Sequence, residues 1–227
     1  MFSATTTGGV TLRILAQMPL RFHDPADREH PSVQPFLARV DEALALQRAR
    51  GLTDEEAWET LQDLPRHAHL DRLVHGTPGL RSGWWVELAF SGRLCQLGRL
   101  QLEPCAGFLG LHIPEEGGPL TPQAVDASLA RARELFPEYR EARCTSWLLD
   151  PQLAGLLPAG SNIVAFQRRF ELLDEGTNED ARVLEFVFHT LDPDLDVLPQ
   201  ETALQRAIVA HLRGGGHFAG PTGTLEL

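Results

Sequence analysis

The chain contains 227 residues, 43% of them hydrophobic, so it is long enough for one substantial domain with a buried core. Its formal net charge of −11 argues against partners such as nucleic acid or an acidic membrane surface. No lysine occurs, which excludes both a Schiff-base lysine and the lysine of a phosphate-binding loop.

Cysteine usage and the lack of long apolar runs are typical of a protein of the cytoplasm. Cys95, Cys105 and Cys144 show no C-x-x-C spacing, which favours reduced thiols over a disulfide framework. Residues 1–9 do not resemble a signal peptide, and no apolar run approaches the ~18 residues of a membrane span. We therefore expect a cytoplasmic protein that does not enter a membrane. Its nine histidines show no metal-ligand spacing, so no metal is expected.

The N-terminal part of the chain is predicted to be mostly helical. Residues 1–31 show no helical stripe, although 10–15 are typical of a short strand, and we treat them as an extension before a domain spanning 32–227. Apolar residues at helical spacing then predict helices up to Gly51 and Gly76, so that 32–76 form a helical segment. Thr53 and Glu56 have the spacing of a capping box.

From about residue 81 the pattern predicts a sheet with helices, which continues to residue 227. Alternating residues at 84–90, a Ser91-Gly92 turn and an alternating run at 93–103 are typical of a β-hairpin. In the second strand Gln96 points with its apolar neighbours. Because an unsatisfied buried polar group costs ~1–3 kcal/mol, Gln96 either bonds to nearby backbone or faces a pocket.

The stretch from residue 108 to residue 136 is predicted to form the centre of the domain. An apolar strand containing His112 leads through Glu115-Glu116-Gly117-Gly118 into a helix that Thr121 caps. A glycine turn between a strand and a helix N-terminus is able to hold an anion on its backbone N–H groups. The alternative is a simple chain reversal, because the two glutamates would repel a phosphate and a glycine-rich turn is a weak motif.

The remaining segments complete the predicted sheet. We expect a strand at 142–149, a short helix at 152–157, a hairpin of strands at 163–173 and 182–190, a helix at 201–213 and an edge strand at 218–227. In the first strand of this hairpin Arg168 falls on the apolar side. It would therefore pair with a carboxylate of a ligand, or else with Glu185 or Asp150.

Six patches of the sequence carry a family resemblance: Trp84-Trp85 and residues 96–101, 111–133, 146–153, 161–170 and 203–218. They resemble the GNAT-like C-terminal domain of bacterial N-acyltransferase-like proteins, over roughly residues 35–227. The resemblance implies an α/β (α+β) fold with a mixed, mainly antiparallel sheet flanked by helices after a helical N-terminal segment. Members carry a further N-terminal domain, and we expect that domain to be absent here.

The resemblance also implies a site for acyl-CoA or acetyl-CoA as co-substrate. In that superfamily two strands splay apart around the pantetheine arm, and amides of the following turn hold the pyrophosphate. The corresponding segments are 111–113 and 145–148, and the positions assigned to the cofactor are Ile113, Glu116, Gly117, Gly118, Leu120 and Asn162. Two departures stand out: glutamates occupy the turn where the superfamily has Gln or Arg, and no tyrosine follows Asn162 to act as the acid.

Direct transfer of an acyl group to an amine needs a base, donors for the developing oxyanion and an acid for the leaving thiolate. We assign His112 as the base and Ser146 to the leaving thiolate or to an ordered water. Gln96, Arg168 and Trp84 are assigned to the acceptor. Each also has a structural interpretation: His112 as a bonded core histidine, Ser146 as a packing residue and Arg168 as an internal ion-pair partner.

The sequence thus favours an acyl-CoA-dependent N-acyltransferase for a small amine or amino-acid-like acceptor. A GNAT-like domain without chemistry, serving as a binding or interaction module, is the alternative. A Cys–His acyl enzyme using Cys144 is a third hypothesis, although no local motif supports it. The acceptor, the acyl chain and the oligomeric state, including a homodimer, are left open.

Overall fold

The computed structural model describes residues 19–191 and 193–227; the strand predicted at 10–15 lies outside them. The described helices are α1 (Pro25–Glu29), α2 (Gln34–Leu37), α3 (Val40–Ala49), α4 (Asp54–Leu61), α5 (Asp63–His75), α6 (Gly83–Phe90), α7 (Pro122–Leu135), α8 (Leu153–Leu156), α9 (Asn162–Gln167), α10 (Asp180–Phe188) and α11 (Ala203–Arg213). The strands are β1 (Cys95–Leu97), β2 (Leu100–Pro104), β3 (Leu109–His112), β4 (Glu141–Thr145), β5 (Glu171–Leu172) and β6 (Thr222–Glu226).

The described strands form one six-stranded sheet in the order β1-β2-β3-β4-β6-β5. The β3–β4 pair is parallel and the other pairs are antiparallel. This mixed, mainly antiparallel sheet with helices on its faces confirms the predicted fold class. The last strand, however, was predicted at an edge and lies between β4 and β5, because its residues pair with both.

The two faces of strands β1–β3 differ in chemistry. The side chains that alternate onto one face include Cys95 and the leucines at 97, 100, 102, 109 and 111, all buried in the main core together with the apolar stripe of α7. Gln96, Gln101 and His112 occupy the opposite face, which α5 and α6 cover. A sheet covered on both faces therefore has one apolar layer and one polar layer.

The N-terminal helices follow the predicted caps and stripes. Thr53 and Glu56 form the expected capping box at the start of α4, with both reciprocal hydrogen bonds present. The helix predicted to end at Gly76 is α5, which has 13 residues. Part of the expected extension is also structured, because α1 packs on α5 and its buried Asp27 accepts a 2.8 Å hydrogen bond from Arg72 Nε.

Residues 83–90 were predicted to be a strand and form helix α6 instead. The stretch is apolar at most positions, so its sequence is compatible with either period. Val86, Ala89 and Phe90 are fully buried at i, i+3 and i+4, which is a helical pattern. The hairpin is therefore the short β1–β2 pair, which turns at Gly98 with φ +62°.

The hairpin predicted at 163–173 and 182–190 is also wrong. These segments form mainly the helices α9 and α10, and only the short strand β5 joins the sheet there. Ser161 caps α9 by accepting a hydrogen bond from Ile163 N. Similarly, β4 ends at Thr145, and Ser146 caps a 3₁₀ turn formed by Trp147–Leu149. Helix α11 confirms the helix predicted at 201–213.

Candidate active site

The parallel strands β3 and β4 pair for only two residues and then separate. The last paired residues are Gly110 and Arg143. Strand β3 continues to His112 in register with β2, while β4 continues to Thr145 in register with β6. Beyond Gly110 the two strands follow different partners and no ladder pairing joins them; we call this unpaired stretch the gap. The resemblance implied that these two strands splay around a pantetheine arm at segments 111–113 and 145–148.

The glycine turn follows β3 and leads into α7. Gly117 and Gly118 have φ of +110° and +82°, as the paired glycines predicted, and Thr121 caps α7 by accepting from Ala124 N at 3.2 Å. Among residues 19–191 and 193–227, no hydrogen bond uses the N–H groups of residues 116, 117, 118 or 120. These N–H groups, together with the start of α7, are available to an anion.

Basic side chains flank the two glutamates of this turn. Glu116 lies 3.3 Å from His23 Nε2 and 3.6 Å from Arg66 Nε, while Glu115 Oε1 lies 2.6 Å from His189 Nε2. His189 adopts a left-handed conformation (φ 54°) at the end of α10. The guanidinium of Arg66 beside Glu116 offsets part of the repulsion that the sequence predicted for a phosphate.

A row of polar side chains lies beside the turn, on the face of the sheet that α5 and α6 cover. Gln96, Gln101 and His112 are cross-strand partners on β1, β2 and β3. Gln96 is 1% exposed; it accepts from Arg66 Nη1 at 2.7 Å and donates to Gly98 O at 3.0 Å. Gln96 is thus internally bonded, and it lies 3.9 Å from the position of a Cβ on Gly117, so the row adjoins the turn.

His112 ends β3 at the mouth of the gap. Its ring packs edge-on against Trp85, with centroids 4.8 Å apart, and its Nε2 lies 3.6 Å from Glu103 Oε2. This buried Nε2 has no hydrogen-bond partner among the described residues. Burial lowers the pKa of His112, and the opposing effect of Glu103 is smaller. His112 is therefore a neutral imidazole near pH 7, with a ring nitrogen able to accept a proton.

Asp63 of α5 organises the polar layer above this row. Its carboxylate accepts from Gln101 Nε2 at 2.6 Å and from Trp85 Nε1 at 3.2 Å, and it lies 3.6 Å from Arg66 Nη1. The sequence prediction missed Asp63 and Arg66, which lie on α5, far from β3 in sequence. It also missed Glu103, which approaches His112 only through the pairing of β2 with β3. The signal for Gln101 was present in the 96–101 patch that carried the family resemblance.

The other predicted site residues occupy separate positions. Ser146 Oγ accepts from Leu148 N at 3.1 Å, at the β4 side of the gap. Asn162 begins α9, and Trp84 is 66% exposed on α6. Arg168 ends α9 and is exposed, so its placement on the apolar side of a strand is wrong. No ion pair joins it to Glu185, Asp150 or any other described carboxylate.

Cys144 does not have the environment of a nucleophile. It is 1% exposed on β4, and burial raises the pKa of its thiol to about 12. A thiol with this pKa is almost entirely protonated at neutral pH, and only the thiolate attacks a thioester. The structure therefore gives no support to the acyl-enzyme hypothesis.

A cavity of about 430 Å³ lies beside the glycine turn, between the N-terminal segment and α5. It is lined by Arg21, Phe22, His23, Glu59, Gln62, Pro65, Arg66, Glu116 and Gly117. Its volume is in the range of small-molecule sites, and its lining combines cationic and acidic groups. The cavity therefore places an accessible volume next to the candidate anion site.

A family model described as the GNAT-like C-terminal domain matches residues 86–225. The chain belongs to this family. A second model, described as the N-acyltransferase N-terminal domain, matches residues 12–92. The expectation that an N-terminal domain is absent is therefore wrong for this stretch, which contains the described helices α1–α6.

Solved acyltransferase structures resemble this chain in fold and sequence. One, in complex with decanoyl-CoA and teicoplanin, is 41% identical with a TM-score of 0.78, covering 85% of this chain and 64% of that one. Another, in complex with decanoyl-CoA, is 39% identical with a TM-score of 0.79, covering 86% and 65%. An acyltransferase mutant in complex with octanoyl-CoA is 36% identical with a TM-score of 0.79, covering 96% and 75%.

This chain thus spans less than two thirds of the length of the first two structures. No match was found among the curated proteins compared. In the described part of the chain, none of the helices has the length and apolar character needed to cross a bilayer.

Proposed function

We propose that this chain is an acyl-CoA-dependent acyltransferase that transfers a medium-length acyl group directly to the amine of a small molecule. The observation that carries the proposal is the gap between β3 and β4 beside a glycine turn with unbonded N–H groups. The family match and the relatives bound to decanoyl-CoA and octanoyl-CoA support the same donor.

The donor site in this proposal has two parts. Gly117, Gly118 and the neighbouring N–H groups of Glu116 and Leu120 bind the diphosphate at the positive end of α7. The pantetheine arm passes Ile113 and enters the gap, where the β4-facing edge of β3 beyond Gly110 has no described strand partner. Asn162 is assigned to the arm, since Gln167 of the same helix donates to Leu148 O and Asp150 O, just after β4.

Catalysis in this proposal is a single direct transfer. The acceptor nitrogen attacks the thioester carbonyl, a C–N bond forms and the C–S bond breaks. His112 Nε2 takes the proton that leaves the nitrogen, and the Ser146 hydroxyl or a water delivers a proton to the thiolate of CoA. The Ser146 oxygen accepts its bond from Leu148 N, so its own proton remains available.

In this proposal the acceptor is a small molecule whose amine approaches His112 from the polar layer of the sheet. Gln96, Trp84 and Arg168 remain our proposed contacts, with Trp84 offering an exposed indole and Arg168 an exposed guanidinium. One relative is bound to teicoplanin, a precedent for an acceptor larger than an amino acid. Teicoplanin is therefore a suitable first acceptor to test.

The donor site is tested by ligand-induced stabilisation with acetyl-, octanoyl- and decanoyl-CoA. A ligand at ~100 times its Kd adds about 2.7 kcal/mol to the free energy of unfolding. For a chain of this length that raises the Tm by roughly 5–11 °C. Transfer of the decanoyl group to teicoplanin is followed separately by mass spectrometry.

Two glycine variants make the test specific. Gly118→Asp places a negative charge at the turn, whereas Gly107→Asp makes the same change in the β2–β3 turn. Both glycines have positive φ, +82° and +90°, and a Cβ at either meets nothing within 4 Å. We expect only Gly118→Asp to lose the acyl-CoA shift. If no acyl-CoA raises the Tm of the unmutated protein, the proposal fails and a binding module becomes the better interpretation.

A further inference from the structure

Arg99, in the turn between β1 and β2, is a buried cation directly beneath the glycine turn. It is 8% exposed, and its aliphatic Cδ lies 3.7 Å from the position that a Cβ on Gly117 would take. Its backbone N–H donates to the buried Ser128 Oγ of α7 at 2.9 Å. The arginine is thus anchored both to the hairpin and to the helix that follows the glycine turn.

The guanidinium of Arg99 bonds only to backbone. Its Nε donates to Gly118 O and its Nη1 donates to Pro114 O, both at 2.8 Å. These bonds hold two carbonyls of the glycine turn against the arginine. The N–H groups of the same turn take part in no hydrogen bond within the described ranges. Nη2 of Arg99 likewise donates to no described atom.

No described carboxylate lies within 4 Å of the Arg99 guanidinium. Glu115 and Glu116, the nearest acids in sequence along the turn, contact His189, His23 and Arg66 instead. Burial lowers the pKa of Arg99, and the positive charge of Arg66 lowers it further. A charge removed from water normally has a counter-ion, because the cost of desolvation is large.

We infer that Arg99 supplies the fixed positive charge of the donor site, and that the diphosphate of acyl-CoA is its missing counter-ion. This inference rests on the proposed function and adds one element to it. The superfamily turn that this chain resembles carries Gln or Arg where this chain has glutamates. Here the positive charge comes from beneath the turn, from a different element of the sheet, and Nη2 is the donor left for a phosphate oxygen.

The test compares two donors that share an acyl chain. Decanoyl-CoA carries the diphosphate, whereas decanoyl-pantetheine has the thioester and the arm without any phosphate. For Arg99→Gln we expect the Kd of decanoyl-CoA to rise about 10- to 100-fold, as for loss of a charged hydrogen bond. The Kd of decanoyl-pantetheine should remain within about twofold. Arg99→Lys keeps the charge and should bind decanoyl-CoA more tightly than Arg99→Gln.

Arg213→Gln is the matched control, because it removes one arginine charge from the last turn of α11, where Arg213 pairs with Asp196. It should leave both dissociation constants unchanged. Equal binding of decanoyl-CoA by the unmutated protein and Arg99→Gln would overturn the inference. So would an equal loss of both donors, or an equal loss in the Lys and Gln variants, since each would mean that Arg99 only shapes the turn. If the unmutated protein binds neither donor, the proposed function itself is wrong.

A second measurement does not depend on the folding of Arg99→Gln. In protein labelled with ¹⁵N-arginine, the Nε–H resonance of Arg99 is identified by its absence in Arg99→Lys. Inorganic pyrophosphate should shift this resonance in the unmutated protein, and decanoyl-pantetheine should not. A resonance that pyrophosphate leaves unmoved would contradict a direct role of the guanidinium.

Discussion

Replacing Asp63 with alanine should destabilise the protein strongly, because several donors converge on this one carboxylate. Asp63 is 1% exposed and accepts from Gln101 Nε2 at 2.6 Å and from Trp85 Nε1 at 3.2 Å. Arg66 Nη1 lies 3.6 Å away and is itself nearly buried. Asp63→Ala leaves a buried amide without an acceptor and removes one counter-charge of a buried guanidinium.

Removing one partner of a buried, bonded charge network costs about 3–5 kcal/mol. In a chain of this size that corresponds to a fall in Tm of about 6–20 °C. The free energy of unfolding is measured by urea titration, monitored by circular dichroism and tryptophan fluorescence. Asp126→Ala is the control; Asp126 forms an exposed ion pair with Arg169, and its removal should leave the midpoint nearly unchanged.

A double variant distinguishes the contribution of the hydrogen-bond network to stability from that of side-chain packing. Asp63→Ala combined with Gln101→Leu removes an acceptor and its donor together. It should therefore cost less than the sum of the two single changes by at least about 1 kcal/mol. The reasoning is refuted if Asp63→Ala costs no more than Asp126→Ala, or if the two changes are additive.

Three further predictions follow from the buried ionisable groups. If His112 is the base of the proposed transfer, His112→Gln should lower kcat/KM about 10²- to 10⁴-fold while the urea midpoint changes little. In the unmutated protein the acid limb of the pH profile should lie below the ordinary histidine range, because burial lowers the pKa of His112. An unchanged rate in the variant would exclude His112 as the base. Burial lowers the pKa of His112 and of His67, a residue of α5. Between pH 7 and pH 5 the unfolded chain therefore binds protons that the native state does not, so the free energy of unfolding should fall as the pH is lowered over this range. A rise would contradict this sign. Cys144→Ala should keep activity, and mass spectrometry after acyl-CoA treatment should show no adduct on Cys144; a stable thioester there would restore the acyl-enzyme hypothesis.

The sequence by itself determined the elements that local signals specify. At the centre of the domain a strand, a glycine turn and a helix capped by Thr121 follow one another in the chain. Each has a local sequence signal: a capping residue, glycines that accept positive φ, or a regular spacing of apolar residues. The same holds for the capping box at Thr53 and for α11. These predictions succeeded because caps, positive φ and a one-sided apolar stripe are properties of the local chain.

Only the tertiary structure decided the secondary structure of segments whose apolar residues fit both helical and strand spacing. Residues 83–90 are nearly all apolar, and residues 182–190 also fit a strand alternation. Yet the first run is helical, and so is the second as far as Phe188. Their conformation depends on which side chains are buried against neighbouring elements, and that information is not local.

The polar layer of the site depends on tertiary structure for the same reason. His112 and the glycine turn could be proposed from the sequence because they lie in one stretch. Asp63, Arg66 and Arg99 reach that stretch through helix packing and strand register. A sequence shows a residue's chemical type, but only the folded chain shows which carboxylate, amide and guanidinium lose their water together and must satisfy one another.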